Sequence, residues 1–281
     1  MKKEQDFDLY KHNTMRLHSV AKCYYEPESV IELQRLVKVL KDSHKDYLLL
    51  GGGSNVLLPP KINRTVIGTG KLDKGIVIED NKVICGTSVR IQNLIRTCQK
   101  SSLGGLEFLF SVPCLLGGAV YMNAGAGHKC SISDFIVSVK YYDPVTNEIC
   151  VIKKEDADFS YRHSLFQSKP WIIVSAELCL ESLSSEEIEQ RVLSRLAFSH
   201  EKLDASRPSC GSVFNDYNSR IIEALMGLRI GGACYSKKKS NWISNIKDAS
   251  YFDVKALIRI AEILHMITFK HINREIIIVK K

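Results

Sequence analysis

The spacing of apolar residues predicts a mixture of short strands and amphipathic helices. Leu33, Leu36, Val37 and Leu40 recur at i, i+3, i+4 and i+7, so the spacing predicts a helix over residues 28–44. Short apolar runs bounded by turn residues predict strands. The predicted strands are 47–50, 56–58, 65–68, 76–79, 83–85, 136–142, 149–152, 171–180, 211–215, 242–245 and 274–279. One further predicted helix begins at Ser88, and the others span 184–203, 218–226 and 253–266. The helix over 184–203 is expected to turn Ile188, Val192, Leu193 and Leu196 inward.

Residues 101–130 break this pattern. They hold six glycines and Pro113, which is too rich in glycine for regular elements to be expected. Glycine lets a backbone adopt positive φ and approach a ligand closely. A long irregular segment is uncommon unless it is functional, because its buried polar groups need partners. The run from Ser111 to Gly127 within it therefore predicts a functional loop.

Length and composition narrow the class of protein. The chain has 281 residues, close to the roughly 250–300 residues at which a single core divides, so two or three compact units are expected. The elements indicate an α+β fold, with a domain boundary at the helix that opens at Ser184. Hydrophobic residues at 45% and charged residues at 25% exclude a disordered, collagenous or coiled-coil chain. The net charge of +8 permits an anionic partner.

The cysteines do not suggest a metal or redox site. Nine are scattered along the chain, and no pair has the CxxC spacing. The charged start, Met1-Lys2-Lys3-Glu4, lacks a signal-peptide core. Free thiols in a reducing cytoplasm are therefore expected. The longest apolar stretch, 103–121, contains Glu107, Pro113 and four glycines, and does not predict a membrane helix.

The segment Gly51-Gly52-Gly53-Ser54-Asn55 lies between two predicted strands. Its glycines can turn successive N–H groups into one concavity, which is a nest for an anion such as a diphosphate. A tight hairpin turn is an equally good interpretation of this loop alone. It matches neither GxGxxG opening a helix nor a Walker A loop.

An ordered set of motifs carries a specific resemblance. The chain resembles the UDP-N-acetylenolpyruvoylglucosamine reductase family, in its compact second type, over nearly its whole length. The motifs are Asn13-Thr14, Gly51 to Asn55, Gly105-Leu106-Glu107-Phe108, Gly117 to Gly125, Tyr161-Arg162-His163-Ser164, Cys210 to Phe214, Arg229-Ile230-Gly231-Gly232 and Asn273-Arg274-Glu275.

The resemblance implies an α+β fold with a two-part FAD-binding domain of the vanillyl-alcohol-oxidase/PCMH type, then a smaller α+β substrate-binding domain. The implied bounds are 1–67 and 68–183 for the two FAD-binding parts, and 184–281 for the last domain. It implies non-covalent FAD, NADPH as reductant and a monomer in the bacterial cytoplasm that makes UDP-N-acetylmuramate for peptidoglycan. The implied FAD contacts are Gly51, Gly52, Gly53, Ser54, Asn55, Ser111, Pro113, Gly117, Gly118, Asn123, Ala124 and Gly125, and the implied substrate contacts are Tyr161, Arg229, Lys238 and Asn241.

The resemblance also implies three catalytic residues for adding hydride and a proton to an enol ether conjugated to a carboxylate. The planar fork of Arg162 suits two-point contact with that carboxylate. Ser212 is the implied proton donor, and Gly211 before it allows close approach. Glu275 would sit beside the developing charge, so we expect it to carry a proton. His163 and the other histidines are expected to be structural, and no metal is expected.

Several departures from the family keep other functions open. Ser19-Val20 stands where the family has two glycines, and Cys114-Leu115 replaces a glycine and a hydroxyl residue. One alternative is therefore a catalytically silent nucleotide- or sugar-binding protein. Another is an oxidase of the wider superfamily with FAD attached through His or Cys. Nucleic-acid binding through Lys237-Lys238-Lys239 is remote, since a charge run is usually a solvated face.

Overall fold

The computed structural model describes residues 1–204 and 206–280, in which strands outnumber helices. In chain order the first elements are β1 (Lys2–Asp8), β2 (Val20–Glu26), α1 (Val30–Asp42), β3 (Tyr47–Leu50), β4 (Val56–Leu57), β5 (Lys61–Gly68), β6 (Ile76–Glu79), β7 (Lys82–Gly86), α2 (Ile91–Gln99), β8 (Leu103–Gly104), α3 (Leu116–Tyr121), β9 (Ile136–Asp143), β10 (Glu148–Lys153), β11 (Ile172–Cys179), β12 (Glu181–Ser182) and α4 (Ser185–Lys202). They are followed by β13 (Ser209–Ser212), β14 (Phe214–Asp216), α5 (Ser219–Ala224), β15 (Arg229–Ile230), β16 (Ala233–Tyr235), β17 (Trp242–Asn245), α6 (Tyr251–Ile267), β18 (Asn273–Arg274) and β19 (Ile277–Ile278).

The chain forms two compact units, each assembled from three stretches. The first unit contains residues 1–4, 24–52 and 65–197, and the second contains 5–23, 53–64 and 198–280. The three-part division at residues 67 and 183 stays a prediction.

The first unit is built on an antiparallel sheet with the order β10-β9-β11-β7-β6. A hydrophobic core joins this sheet to α2, α3 and the glycine-rich segment, and includes Val83, Leu94, Val120, Val139 and Leu178. The face of α1 predicted from the sequence is buried in a second cluster, against Tyr142, Ile172 and Val174. Within this unit β3 also pairs in parallel with the end of β5, from Tyr47 with Thr65 to Leu50 with Gly68.

The second unit has its own core. Strands β13-β17-β16-β15 form an antiparallel sheet, and α6 contributes Val254, Leu257, Ile258 and Ala261 to the core of this unit. Two short pairs complete it: β14 with β18, antiparallel, and β4 with β19, parallel.

The structure corrects three predictions made from the apolar pattern. Residues 116–121 of the glycine-rich segment are helical, as α3. Leu193 and Leu196 do not face inward, since their exposures are 54% and 40%. The last predicted strand is broken into β18 and β19.

The first of the two glycines in α3 allows close packing. A Cβ on Gly117 would lie 2.1 Å from Oγ1 of Thr87, which is itself buried. Glycine is therefore needed here so that the helix can approach the segment before α2.

Candidate functional site

In the first unit, the predicted flavin loop is fastened to the chain that leads into α2. The N–H of Leu116 donates to the carbonyl of Val89 at 2.8 Å, and that of Gly117 donates to Thr87 at 3.0 Å. The side-chain amide of Gln92 donates to the carbonyls of Phe110 and Val112 at 3.0 and 2.7 Å. The backbone on either side of Pro113 is thus held in one conformation.

The side chain of Ser111 is held by a hydrogen bond from a residue of α4. The Nε of Arg195 donates to the hydroxyl of Ser111 at 2.8 Å, and burial lowers the pKa of this arginine. A cavity of about 730 Å³ opens beside Arg195 and is also lined by Phe108 and Cys130. The predicted loop residue Ser111 therefore has a fixed orientation.

Asn123 connects the end of the loop to the Tyr-Arg motif. It is buried, its side-chain amide donates to the carbonyl of Ser160 at 2.8 Å, and its side-chain oxygen accepts the N–H of Ser133 at 3.2 Å. The carbonyl of Ala124 accepts the N–H of Ile132 at 2.8 Å. These bonds bring 123–133 and 160–162 together.

Arg162 occupies a strained backbone position in a tight turn. Its φ is +56°, and the turn is closed by reciprocal main-chain bonds between Ser160 and His163. Its Nη2 donates to the carbonyl of Gly125 at 3.0 Å, and its guanidinium carbon lies 4.9 Å from the centre of the Tyr161 ring. The guanidinium is therefore oriented by the loop and by the neighbouring tyrosine.

The Gly-Gly-Gly-Ser-Asn segment has properties of an anion nest. In the first unit, a Cβ on Gly51 would meet only Thr69, at 3.8 Å, so the space beside it is open. In the second unit, Gly53 has a φ of +64° and a Cβ there would lie 2.1 Å from the carbonyl oxygen of His12. No backbone N–H from Gly51 to Asn55 donates a hydrogen bond to any residue in 1–204 or 206–280. Donors left without an acceptor in this way suit an anionic group.

Ser212 and Glu275 lie on adjacent segments of the second unit. The carbonyl of Val213 accepts the N–H of Glu275 at 2.9 Å and that of Ile276 at 3.2 Å. Gly211 has a φ of +77° and nothing within 4 Å of a Cβ position, so the chain turns sharply just before Ser212. Main-chain contacts thus bring together the segments that carry the predicted acid and the predicted hydroxyl.

Asn55 and Asn241 support these two segments. The side-chain amide of Asn55 donates to the carbonyl of Glu275 at 3.0 Å. The amide of Asn241 bonds both to the N–H of Phe214, at 3.0 Å, and to its carbonyl, at 2.7 Å. Asn241 is 2% exposed, so its described contacts position β14, and substrate contact stays a prediction.

The other two predicted substrate residues are exposed in the second unit. The Nε of Arg229 donates to the carbonyl of Gly231 at 2.8 Å. The ammonium group of Lys238 donates to the carbonyl of His200.

Ser19, one of the departures from the family, is fully buried and donates from its hydroxyl to the carbonyl of Pro59 at 2.6 Å. The buried hydroxyl of a serine at this position therefore has a hydrogen-bond partner.

Burial lowers the reactivity of two thiols that lie on segments of the predicted site. It raises the pKa of Cys114, in the flavin loop, to about 12, and that of Cys210, beside Gly211, to about 12. A raised pKa leaves little thiolate at neutral pH, and thiolate is the nucleophile. Neither thiol is suited to attack a cofactor.

We expect iodoacetamide at pH 8 to alkylate exposed Cys179 first and to leave Cys114 and Cys210 unmodified in the folded protein. Their reaction should speed up only as the pH approaches about 12, provided the fold persists. Peptide mass mapping at timed intervals measures this, with guanidinium-unfolded protein as the fully reactive control. Early labelling of Cys210 would contradict the buried geometry.

Several supporting residues were missed by the sequence analysis. Gln92 and Arg195 hold the flavin loop, and Gln167 donates to the carbonyls of Tyr121 and Arg162 at 2.9 and 3.0 Å. Polar residues of this kind give no signal in a single sequence, because no motif marks the carbonyls and the hydroxyl that they bond.

Membrane-spanning helices and metal-binding clusters are both absent from the described residues. None of the helices there is both long and apolar enough to traverse a lipid bilayer. No group of three or more His, Cys, Asp or Glu side chains could hold a metal ion within residues 1–204 and 206–280.

Comparison with known proteins gives consistent matches. Residues 21–149 match the FAD binding domain family. The chain is 34% identical over 270 residues to the UDP-N-acetylenolpyruvoylglucosamine reductase of Borrelia garinii subsp. bavariensis, covering 91% of this chain and 86% of the relative. It is 33% identical over 267 residues to the enzyme of that name from Caldicellulosiruptor bescii, covering 92% and 84%. The crystal structure of UDP-N-acetylenolpyruvylglucosamine reductase from Thermus caldophilus matches with a TM-score of 0.80 and 25% identity, over 99% of this chain and 98% of that chain.

Proposed function

Because the chain belongs to the UDP-N-acetylenolpyruvoylglucosamine reductase family and is an FAD-dependent oxidoreductase, we propose that it reduces UDP-N-acetylglucosamine enolpyruvate to UDP-N-acetylmuramate with NADPH. This reaction would supply cell-wall peptidoglycan synthesis in the bacterial cytoplasm. The observation that supports it most is the pairing of the Ser212 and Glu275 segments at the carbonyl of Val213. We further propose that the enzyme acts as a monomer, which sedimentation measures.

The residues fit FAD at two places. The N–H groups from Gly51 to Asn55 have no acceptor in the described chain, and would hold the FAD pyrophosphate. The loop from Ser111 to Gly125 would lie along the flavin. At Gly118 a Cβ would meet nothing within 4 Å, so the backbone there leaves room for a ring system. The chemistry that FAD supplies when bound is hydride transfer to the terminal carbon of the enol ether.

Arg162 would bind the substrate carboxylate. Hydride addition at the terminal carbon moves electron density into that carboxylate, which becomes an enediolate. A guanidinium already oriented by Gly125 and Tyr161 can stabilise this charge without reorganising. Tyr161, which is partly exposed, would contact the substrate from the same turn.

Ser212 would complete the reaction. Its hydroxyl would give a proton to the carbon next to the carboxylate, and the resulting alkoxide would be reprotonated from solvent. Glu275 in its protonated form would donate a hydrogen bond to the enediolate. Arg229, Lys238 and Asn241 stay proposed for the UDP end of the substrate.

The test is oxidation of NADPH by the purified holoenzyme with and without UDP-N-acetylglucosamine enolpyruvate. We expect a yellow protein that bleaches with NADPH, and whose colour returns when the substrate is added without oxygen. Flavin that is bleached and then does not respond to the substrate would exclude this function. Burial raises the pKa of Cys114 and Cys210 and leaves little thiolate for attachment at these two positions, so denaturation should release the flavin; flavin retained on the chain would indicate the covalent oxidase.

Two adjacent glycines of α3 should respond differently to alanine. Gly117→Ala should destabilise the flavin-free protein by about 1–3 kcal/mol, because the new Cβ overlaps Thr87. Gly118→Ala should stabilise the flavin-free protein by roughly 0.5–1 kcal/mol, because alanine loses less entropy in a helix. The same methyl group should weaken FAD binding.

Urea unfolding of the flavin-free variants measures the first effect, and quenching of FAD fluorescence on titration measures the second. Gly118→Ala protein that binds FAD like the wild type would remove Gly118 from the cofactor contacts.

A further inference from the structure

A hairpin formed by residues 125–131 touches the Tyr-Arg motif at two points within the first unit. The hairpin is closed by the bridge between Gly125 and Ser131 and by a bond from the N–H of Ala126 to the carbonyl of Cys130, at 2.9 Å. Gly127, with a φ of +61°, turns the chain at its tip. The turn leads directly to His128.

His128 lies against the tyrosine that precedes Arg162. Its imidazole stacks on the Tyr161 ring, with the ring centres 3.8 Å apart and the planes inclined by 24°. At the base of the same hairpin, the carbonyl of Gly125 accepts from the Arg162 guanidinium at 3.0 Å. The tip and the base thus hold two consecutive residues of the motif.

The stack adds to the other contacts of the turn that holds Arg162. The residue has left-handed backbone geometry in a short turn, and Tyr161 is 37% exposed. The guanidinium rests on the Tyr161 ring as well as on the carbonyl of Gly125, so a displaced ring removes one of its contacts. The stacked imidazole covers one face of the tyrosine ring, so it limits the rotation of that ring by direct van der Waals contact.

We propose that His128 is a positioning residue that holds the Tyr161 ring, and through it the Arg162 guanidinium, in the orientation that binds a carboxylate. The role of the carboxylate rests on the proposed function. The stack itself does not, so the two can be tested separately. The imidazole acts through its flat face, and no proton transfer is assigned to it.

The experiment compares three variants of the FAD-loaded enzyme: His128→Ala, His128→Phe and, as a matched control at the hairpin tip, Lys129→Ala. Lys129 is exposed next to His128. Side-chain NMR with labelled arginine reports the two Nη groups of Arg162, and their signals are assigned from an Arg162→Lys sample. Thermal unfolding of each variant confirms that it is folded.

In the wild type we expect two resolved Nη signals, because the guanidinium is held. They should merge in His128→Ala, reappear in His128→Phe, which restores a flat ring, and stay unchanged in Lys129→Ala. Re-oxidation of the reduced flavin by the enolpyruvyl substrate should slow by about 3- to 10-fold in His128→Ala, the range of one aromatic pair, and recover in His128→Phe. Reduction by NADPH should be unaffected.

Resolved signals in His128→Ala, or signals that stay merged in His128→Phe, would overturn the proposal whatever the substrate proves to be. If the wild type has no turnover with the enolpyruvyl substrate, the proposed function fails. The arginine signals still decide whether His128 holds Arg162.

Discussion

Replacing Ser212 by alanine is expected to lower kcat by about 10²- to 10⁴-fold, the usual contribution of a positioned proton donor, while substrate affinity stays close to that of the wild type. Gly211 and the break in pairing between Ser209 and Ser212 set the direction of this residue on β13. Removing only the hydroxyl leaves that backbone intact. Stopped-flow re-oxidation of the flavin by the substrate measures the loss.

Ser219→Ala is the control for this experiment, because Ser219 is an exposed residue at the start of α5 in the same unit. It should re-oxidise at the wild-type rate. Flavin reduction by NADPH should be equal in all three proteins, since it needs no proton at the substrate carbon. A Ser212→Ala enzyme that keeps the wild-type kcat would assign the proton to another donor.

Replacing Arg162 by methionine is expected to lower kcat/KM by about 10²- to 10⁴-fold, because two hydrogen bonds to a charged group contribute roughly 1.5–3 kcal/mol each. Arg162→Lys should fall between methionine and the wild type. Lysine keeps the positive charge but has no planar fork for two-point contact. Steady-state kinetics over a range of substrate concentrations measures both variants.

Arg35→Met removes an exposed arginine of α1 in the same unit, and should leave kcat/KM unchanged. A crystal structure of the methionine variant would show whether the turn at Ser160 to His163 persists. Equal activity of the lysine and arginine enzymes would mean that charge alone, without the fork, serves the substrate.

The fold was predictable where apolar spacing is strong. The helix over α1 and the strands β3, β6 and β17 were predicted within a few residues, because each carries a clear apolar face or a short apolar run. Strands β1 and β2 were missed, since β1 is mostly polar and exposed and carries little periodic signal. The helix α3 was missed because its two glycines oppose helix propensity locally, and packing against Thr87 outweighs that effect.

The resemblance assigned the FAD-dependent enzyme family, and the comparisons confirm that assignment. The roles of Arg162, Ser212 and Glu275 stay predictions. Nothing in a single sequence could indicate that Arg195 would reach Ser111, or that His128 would stack on Tyr161. Such contacts join segments that are far apart along the chain, and depend on turns whose geometry has no pattern in hydrophobicity.

The parallel pairing of β4 with β19 has a consequence for biosynthesis. The side-chain amide of Asn55 can bond to the carbonyl of Glu275 only after a further 220 residues have been synthesised. The nest segment therefore leaves the ribosome 220 residues before the neighbour that steadies its far end. Flavin capture that depends on this bond should follow the synthesis of Glu275.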